Sequence, residues 1–144
     1  METVIVRTKQ QLEDAYHVRK EVFVKEQQVP IEIEIDELED VATHIVIYND
    51  DHAPQAAARL RILDAQKAKL ERICVLKEAR SFGLGYKLLE ALEEEALKNG
   101  AKEAIMHAQV QALPFYEKKG YRVISEPFEE ADILHVKMSK PLSA

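Results

Sequence analysis

One cysteine, Cys74, is all the chain has, so no disulfide can form within it, and no Cys/His spacing suggests a structural zinc or other metal site. Tryptophan is absent and aromatic residues make up 6% of the chain. No run approaches the roughly 18 consecutive apolar residues that a bilayer-spanning helix needs. The opening METVIVRTKQQLED turns polar within a few residues, unlike a signal or transit peptide, so a cytoplasmic location is expected. Positive charge is also short: 20 Lys and Arg stand against 26 Asp and Glu, a net charge of -6. That balance argues against broad binding to nucleic acid or to anionic membranes, and leaves room only for a local basic pocket. Glycine is scarce, with four in the chain, yet two of these stand close together at 83 and 85.

What is present is a mixed, well-patterned globular chain. At 144 residues, with 47% hydrophobic and 32% charged, residues 1–144 are expected to form a single domain around one core. TVIVRTK alternates as a strand does, and the following QQLEDAYHVRKEVFVKEQ sets Leu12, Ala15, Tyr16, Arg19, Val22 and Phe23 at helical spacing. VPIEIEIDELED alternates Ile31, Ile33 and Ile35 with acids, which suits either a short strand or an acidic loop lying across a site. Three strand-like runs then read as an antiparallel meander, THIVIYND, QAAARLRILD and AKLERICVL, with turns at DDHAP and AQKA. A leucine-rich helix follows to about residue 98, then a strand at KEAIMHA, a short helix at ALPFYEKKG, and strands at YRVISEPF and ILHVKMS. The predicted order is β-α-β-β-β-α-β-α-β-β.

The chemistry concentrates in EARSFGLGYKLLEALEEEALKNG, residues 78–100. Glycines at alternate positions permit a tight turn and a close approach of backbone amides to a ligand. A helix start leaves about four N–H groups without internal partners and carries a partial positive charge. Arg80 adds a full charge with bidentate geometry, so a phosphate or pyrophosphate is the natural guest. The helix buries Leu84, Leu88, Leu89, Leu92 and Ala96 as a stripe and turns Glu90, Glu93 and Glu94 to water. A bare G-x-G also suits an ordinary strand-to-helix turn. There is no Walker G-x-x-x-x-G-K-[ST], and the dinucleotide fingerprint would need glycine where Leu88 stands. Binding of ATP or GTP at this loop is therefore disfavoured.

RICVLKEARSFGLGYKLLEAL resembles the acetyl-CoA-binding motif of the GNAT acetyltransferase superfamily, whose [QR]-x-x-G-x-[GA] loop is matched by Arg80, Gly83 and Gly85. AQVQALPFYEKKGY resembles its second cofactor motif, a short helix bearing an aromatic pair before a glycine, and the order of elements agrees over essentially the whole chain. VFVKEQQVPIEIEIDELED is similar to the bacterial ElaA-like or YjcF-like branch. The resemblance implies an α/β (α+β) fold with a mixed, mostly antiparallel sheet flanked by helices. It further implies coenzyme A as cosubstrate, without a metal, and transfer of acetyl from acetyl-CoA to an amine of a small molecule or peptide by direct transfer. A coenzyme A-binding module with a sensing or scaffolding role is the alternative. Monomer and homodimer both stay open.

Carried over residue by residue, the resemblance gives the pyrophosphate to the loop of Arg80, Ser81, Phe82, Gly83, Leu84 and Gly85. It gives the pantetheine arm to the backbone of Ile73, Cys74 and Val75, pairing like an added strand. Gln109 stands seven residues before Tyr116, where many members carry asparagine, and could still reach the pantetheine amide. Tyr116 is expected near the coenzyme sulfur, to protonate the departing thiolate, or else to pack beside Phe115. Glu71, expected to share a strand face with Ile73 and Val75, is a candidate base, or a partner for a neighbouring cation. His107, on the strand after the cofactor helix and so on the acceptor side, is the other candidate base, or a hydrogen-bonded core residue. Glu26, Gln27, Glu34 and Asp36 would form an acidic acceptor wall, and Arg19 would hold an acceptor carboxylate or pair with those acids. Cys74 is expected to pack, not to act as a nucleophile.

Overall fold

The computed structural model describes residues 1–64 and 66–143. Ala65, the first residue of the expected AQKA turn, lies outside the described residues. The elements run β1 (Glu2–Ile5), α1 (Lys9–Arg19), α2 (Ile31–Glu34), β2 (Thr43–Tyr48), β3 (Pro54–Ile62), β4 (Lys67–Val75), α3 (Leu84–Lys98), β5 (Glu103–Gln109), α4 (Leu113–Glu117), β6 (Arg122–Val123), β7 (Phe128–Glu130) and β8 (Ile133–Pro141). Sheet order is β1-β2-β3-β4-β5-β8-β6, with β7 also on β8. Among the described residues only β4 and β5 pair in parallel; the other pairs are antiparallel, the mixed and mostly antiparallel sheet that was expected. β2 along nearly its whole length and the middle of β3 are buried because α1 and α3 both pack on them.

Local sequence explains most of these elements. Thr8 caps α1 by accepting from the Gln11 amide while Gln11 reaches back, a capping box. α3 buries the predicted stripe of Leu84, Leu88, Leu89, Leu92 and Ala96, while Glu93, expected to face water, instead accepts from the Tyr121 hydroxyl at 2.8 Å and from Lys140.

Three departures have identifiable causes. The first helix does not continue as α: residues Lys20–Glu26 widen into a π-helix, with the Gln27 amide donating to Val22 five residues back. Next, the Ile/Glu alternation at 31–35 forms no strand. Pro30 starts a single helical turn, and its last carbonyl, at Glu34, accepts from Arg19 (2.7 Å) and Arg72 (3.3 Å). Finally, YRVISEPF forms no single strand, because Pro127 has no N–H to donate and the ladder breaks between β6 and β7.

A buried ion network fixes the α1 and α2 side against the sheet. Arg19, 0% exposed, donates to Glu34 (2.8 Å) and to both carboxylate oxygens of Glu39 (2.9 and 2.7 Å). Arg59, 1% exposed, reaches Asp36 (2.8 Å), Glu39 (3.0 Å) and Glu71 (3.0 Å). Burial opposes the charge on Glu39, but the hydrogen bonds and charge of Arg19, the Asp36 amide and Arg59 outweigh it and bring its carboxyl from 4.5 down to about 2.

A depressed carboxyl pKa contributes stability that is complete above the unfolded value of 4.5 and is lost as pH falls through the folded value of about 2. Glu39→Gln should therefore be less stable than the parent near neutrality by about 3 kcal/mol, and that gap should close between those two pH values. Urea unfolding of both proteins across this range checks it; a gap that stays constant refutes the ionisation of Glu39 as the source.

Candidate functional site

The site begins where two parallel strands part. β4 and β5 pair from Lys67↔Glu103 to Lys69↔Ile105 and no further, although β4 runs on to Val75 and β5 to Gln109. Past that point the cleft-side edge of β4 has no partner strand. Between the arms opens a cleft of about 1040 Å³, lined along its length by Ile73, Cys74 and Val75, by Ser81 to Tyr86 save Phe82, and by Tyr116.

A bulge re-aims β4 here. Arg59 faces Glu71 and Ala57 faces Cys74, so β3 advances two residues while β4 advances three, and Arg72 takes φ 58°. The bulge overturns the expected alternation: Glu71 shares its face with Cys74, not with Ile73 and Val75. It also swings Arg72 onto the α2 carbonyls and onto Glu34 (3.2 Å) and Asp36 (3.4 Å).

At one end of the cleft the loop before α3 is held in left-handed conformations, Ser81 at φ 73° and Gly83 at φ 76°. The N–H groups of residues 81–86 donate to no other group among the described residues, so a row of unpaired amides meets the positive end of α3. A side chain at Gly83 would meet nothing within 4 Å, whereas one at Gly85 would lie 2.8 Å from the Phe115 ring, which stacks on Tyr86 at 4.5 Å. Gly83 is thus required for its backbone angle and Gly85 for its lack of volume. Phe82 is 69% exposed and lies outside the cleft lining.

Several expected roles change once partners are visible. Arg80 donates to the Val75 carbonyl (3.0 Å) and is bidentate with Glu26 (2.8 and 2.6 Å), so Glu26 stands against the loop before α3 and not in an acceptor wall. Gln27 accepts from Gln109 at 2.8 Å, and Gln109 accepts in turn from Gln111, which bridges the cleft. Arg19 is fully buried with Glu34 and Glu39, the pairing alternative, and cannot meet an acceptor. Glu34 and Asp36 line the cleft but are matched by Arg19, Arg59 and Arg72, so the wall is a neutralised network, not an acidic one.

Glu71 likewise lies among cations, accepting from Arg59 (3.0 Å) and Arg61 (2.8 Å) with Lys69 at 3.4 Å. Burial raises its carboxyl, but the Arg61 hydrogen bonds and the charges of Arg59 and Lys69 outweigh that and lower it, leaving a weak base. Cys74 is buried, and burial pushes its thiol up to about 12, which suits packing. Tyr116 is 8% exposed and its hydroxyl makes no hydrogen bond among the described residues; burial raises its pKa and keeps it protonated. His107 lines the cleft with Nδ1 at 2.9 Å from Glu130. Arg59, Arg61, Lys69, Arg72 and Glu130 escaped the sequence reading. Arg59 with Arg61, and Lys69 with Glu71, alternate along β3 and β4, and that spacing by two was the available signal of a shared polar face.

The mixed sheet with its split parallel pair is the acetyltransferase fold that the loop motif suggested. The acetyltransferase (GNAT) domain model matches residues 5–142, and the chain belongs to that family. It is 53% identical over 141 residues to YjcF of Bacillus subtilis strain 168, an uncharacterised N-acetyltransferase, covering 97% of this chain and 99% of that protein. Escherichia coli ElaA superimposes with a TM-score of 0.82 at 23% identity, covering 97% of this chain and 99% of that one. An aminoglycoside 6'-N-acetyltransferase solved with coenzyme A does so with a TM-score of 0.80 at 12% identity, covering 100% and 98%. No helix is long and apolar enough to cross a membrane among the described residues.

The glycines give separable expectations. Gly85→Ala must displace a stacked ring and should cost about 1–3 kcal/mol of stability. Gly83→Ala has open space and should cost only the left-handed backbone penalty, about 1–2 kcal/mol, which Gly83→Asn should reduce. Denaturant midpoints of the three variants test the distinction, and an Asn variant no better than Ala would contradict it.

Proposed function

We propose that this protein transfers the acetyl group of acetyl-CoA to a primary amine of a small molecule or peptide. The observation that carries the reading is the row of amides at residues 81–86, unpaired among the described residues, set at one end of a cleft that Tyr116 also lines. The coenzyme A complex of a protein with the same fold supports the same ligand here.

Bound acetyl-CoA supplies an activated thioester. The amides of Ser81, Phe82, Gly83, Leu84 and Gly85 would hold its pyrophosphate, with Arg80 released from Glu26 to join them. Ile73, Cys74 and Val75 would offer their open backbone edge to the pantetheine arm, and Gln109 its amide once exchanged from Gln27. Tyr116 would give its proton to the departing thiolate, a role consistent with a hydroxyl that burial keeps protonated. A cytoplasmic setting, where acetyl-CoA is made and used, fits this reading.

Coenzyme A should raise the melting temperature, since a ligand bound only by the native state stabilises it by mass action; no shift at millimolar coenzyme would refute the cofactor assignment. Tyr116→Phe should lower kcat about 100-fold with coenzyme affinity nearly unchanged. Turnover within about twofold of the parent in a folded variant would remove the acid role. Coenzyme binding without transfer to any amine would favour the sensing or scaffolding module instead.

A further inference from the structure

Resting on the transfer reading above, we propose that His107 takes the proton of the attacking amine and that Glu130, on the β7–β8 hairpin, is the residue that positions it. The amine needs such a partner, because its nitrogen must be neutral to attack and sheds a proton once the C–N bond forms. Glu71, the candidate on β4, is saturated by Arg59, Arg61 and Lys69.

Register places His107 opposite that position. Lys69↔Ile105 is the last β4–β5 pair, so Glu71 and His107, each two residues further on, stand at one level on the two arms of the cleft and on the same face. Both line it. An ionised carboxylate can only accept, so the 2.9 Å contact between Glu130 and His107 Nδ1 puts the imidazole proton on Nδ1. Nε2 then carries the lone pair, and it has no partner among the described residues. Phe128 meets the imidazole edge-on at 5.1 Å, fixing its plane, and the side chain remains 26% exposed. This is the arrangement of a base oriented by a carboxylate behind it.

The surroundings are accounted for. Glu130 comes from β7, and its other oxygen lies 3.9 Å from His135 Nε2 on β8. His135 itself donates through Nδ1 to the Ile133 carbonyl at 2.6 Å. Lys137 faces His107 across the β5–β8 ladder, Lys69 stands near Glu130 on β4, and Glu71 lies across the cleft. The hydrogen bond from His107 holds Glu130 below the usual carboxylate range despite burial, so it stays ionised through neutral pH. The turn that carries it, Ala131 at φ 52° and Asp132 at φ 61°, joins the two strands tightly and limits where Glu130 can go.

The step balances. The amine nitrogen forms a bond to the acetyl carbon, the carbon–sulfur bond breaks, and the thiolate takes the Tyr116 proton. The amine proton passes to His107 Nε2 and from there, through water, back to Tyr116, so both side chains end as they began.

Two measurements test this, one of them independent of any acceptor. Long-range 1H–15N spectra of histidine-labelled protein should show His107 as the Nδ1–H tautomer in the parent and lose that preference in Glu130→Gln. An Nε2–H tautomer in the parent, or a spectrum indifferent to Glu130→Gln, overturns the proposal. For activity, putrescine, benzylamine and glycinamide serve as acceptors, with thiol release as the readout. His107→Gln should lower kcat about 100-fold, and Glu130→Gln about 10-fold. A lowered kcat with the Nδ1–H tautomer retained in Glu130→Gln would make Glu130 merely structural and overturn its part. If coenzyme A binds and none of these amines is acetylated, the transfer reading falls, and the tautomer result still decides the geometry on its own.

Discussion

Everything at this site depends on two parallel strands ceasing to pair. β4 and β5 share hydrogen bonds only as far as Lys69 and Ile105, and the arms beyond leave a backbone edge unpaired and a space between them. An open edge is ordinarily a liability that a protein covers or blunts. Here it is the edge that, on the proposed function, an extended ligand arm would complete with its own backbone-like hydrogen bonds.

Keeping the arms apart requires structure elsewhere. The bulge at Arg72 changes which side chains β4 sends to each face, so that Glu71 and Cys74 share one and Arg72 reaches α2. Arg19 and Arg59, almost wholly buried, tie α1, the α2 turn and the 36–39 segment to β3 and β4 through Glu34, Asp36, Glu39 and Glu71. Buried ion pairs of this kind add little net stability over apolar packing, yet losing one partner strands a charge, so they fix geometry more than they strengthen the fold. This end of the cleft is thereby lined with charges already matched.

Charge matching also explains the reassigned residues. Glu26 with Arg80, and Gln27 with Gln109, join neighbouring residues of the π-helix end to the two elements expected to hold coenzyme A. The Glu26–Arg80 pair is about 40% exposed on each side, and exposed pairs are weak enough to exchange for a phosphate.

The sequence alone determined whatever rests on local rules. Period-two and helical patterns located most of the elements, the α3 stripe was read correctly, and the loop with Arg80, Gly83 and Gly85 identified the family because glycine spacing at a helix start has a direct backbone cause. Tertiary structure decided the rest. The alternation at 31–35 reads as strand or acidic loop, yet becomes a helical turn because Arg19 and Arg72 hold its last carbonyl, and neither arginine is near it in sequence. The role of each acid turned on which cation it met: Glu71 met three and was quenched, while Glu130, unremarked in the chain, met a histidine 23 residues away. A residue's type is written locally, but its protonation and its freedom to act belong to the partners that folding brings to it.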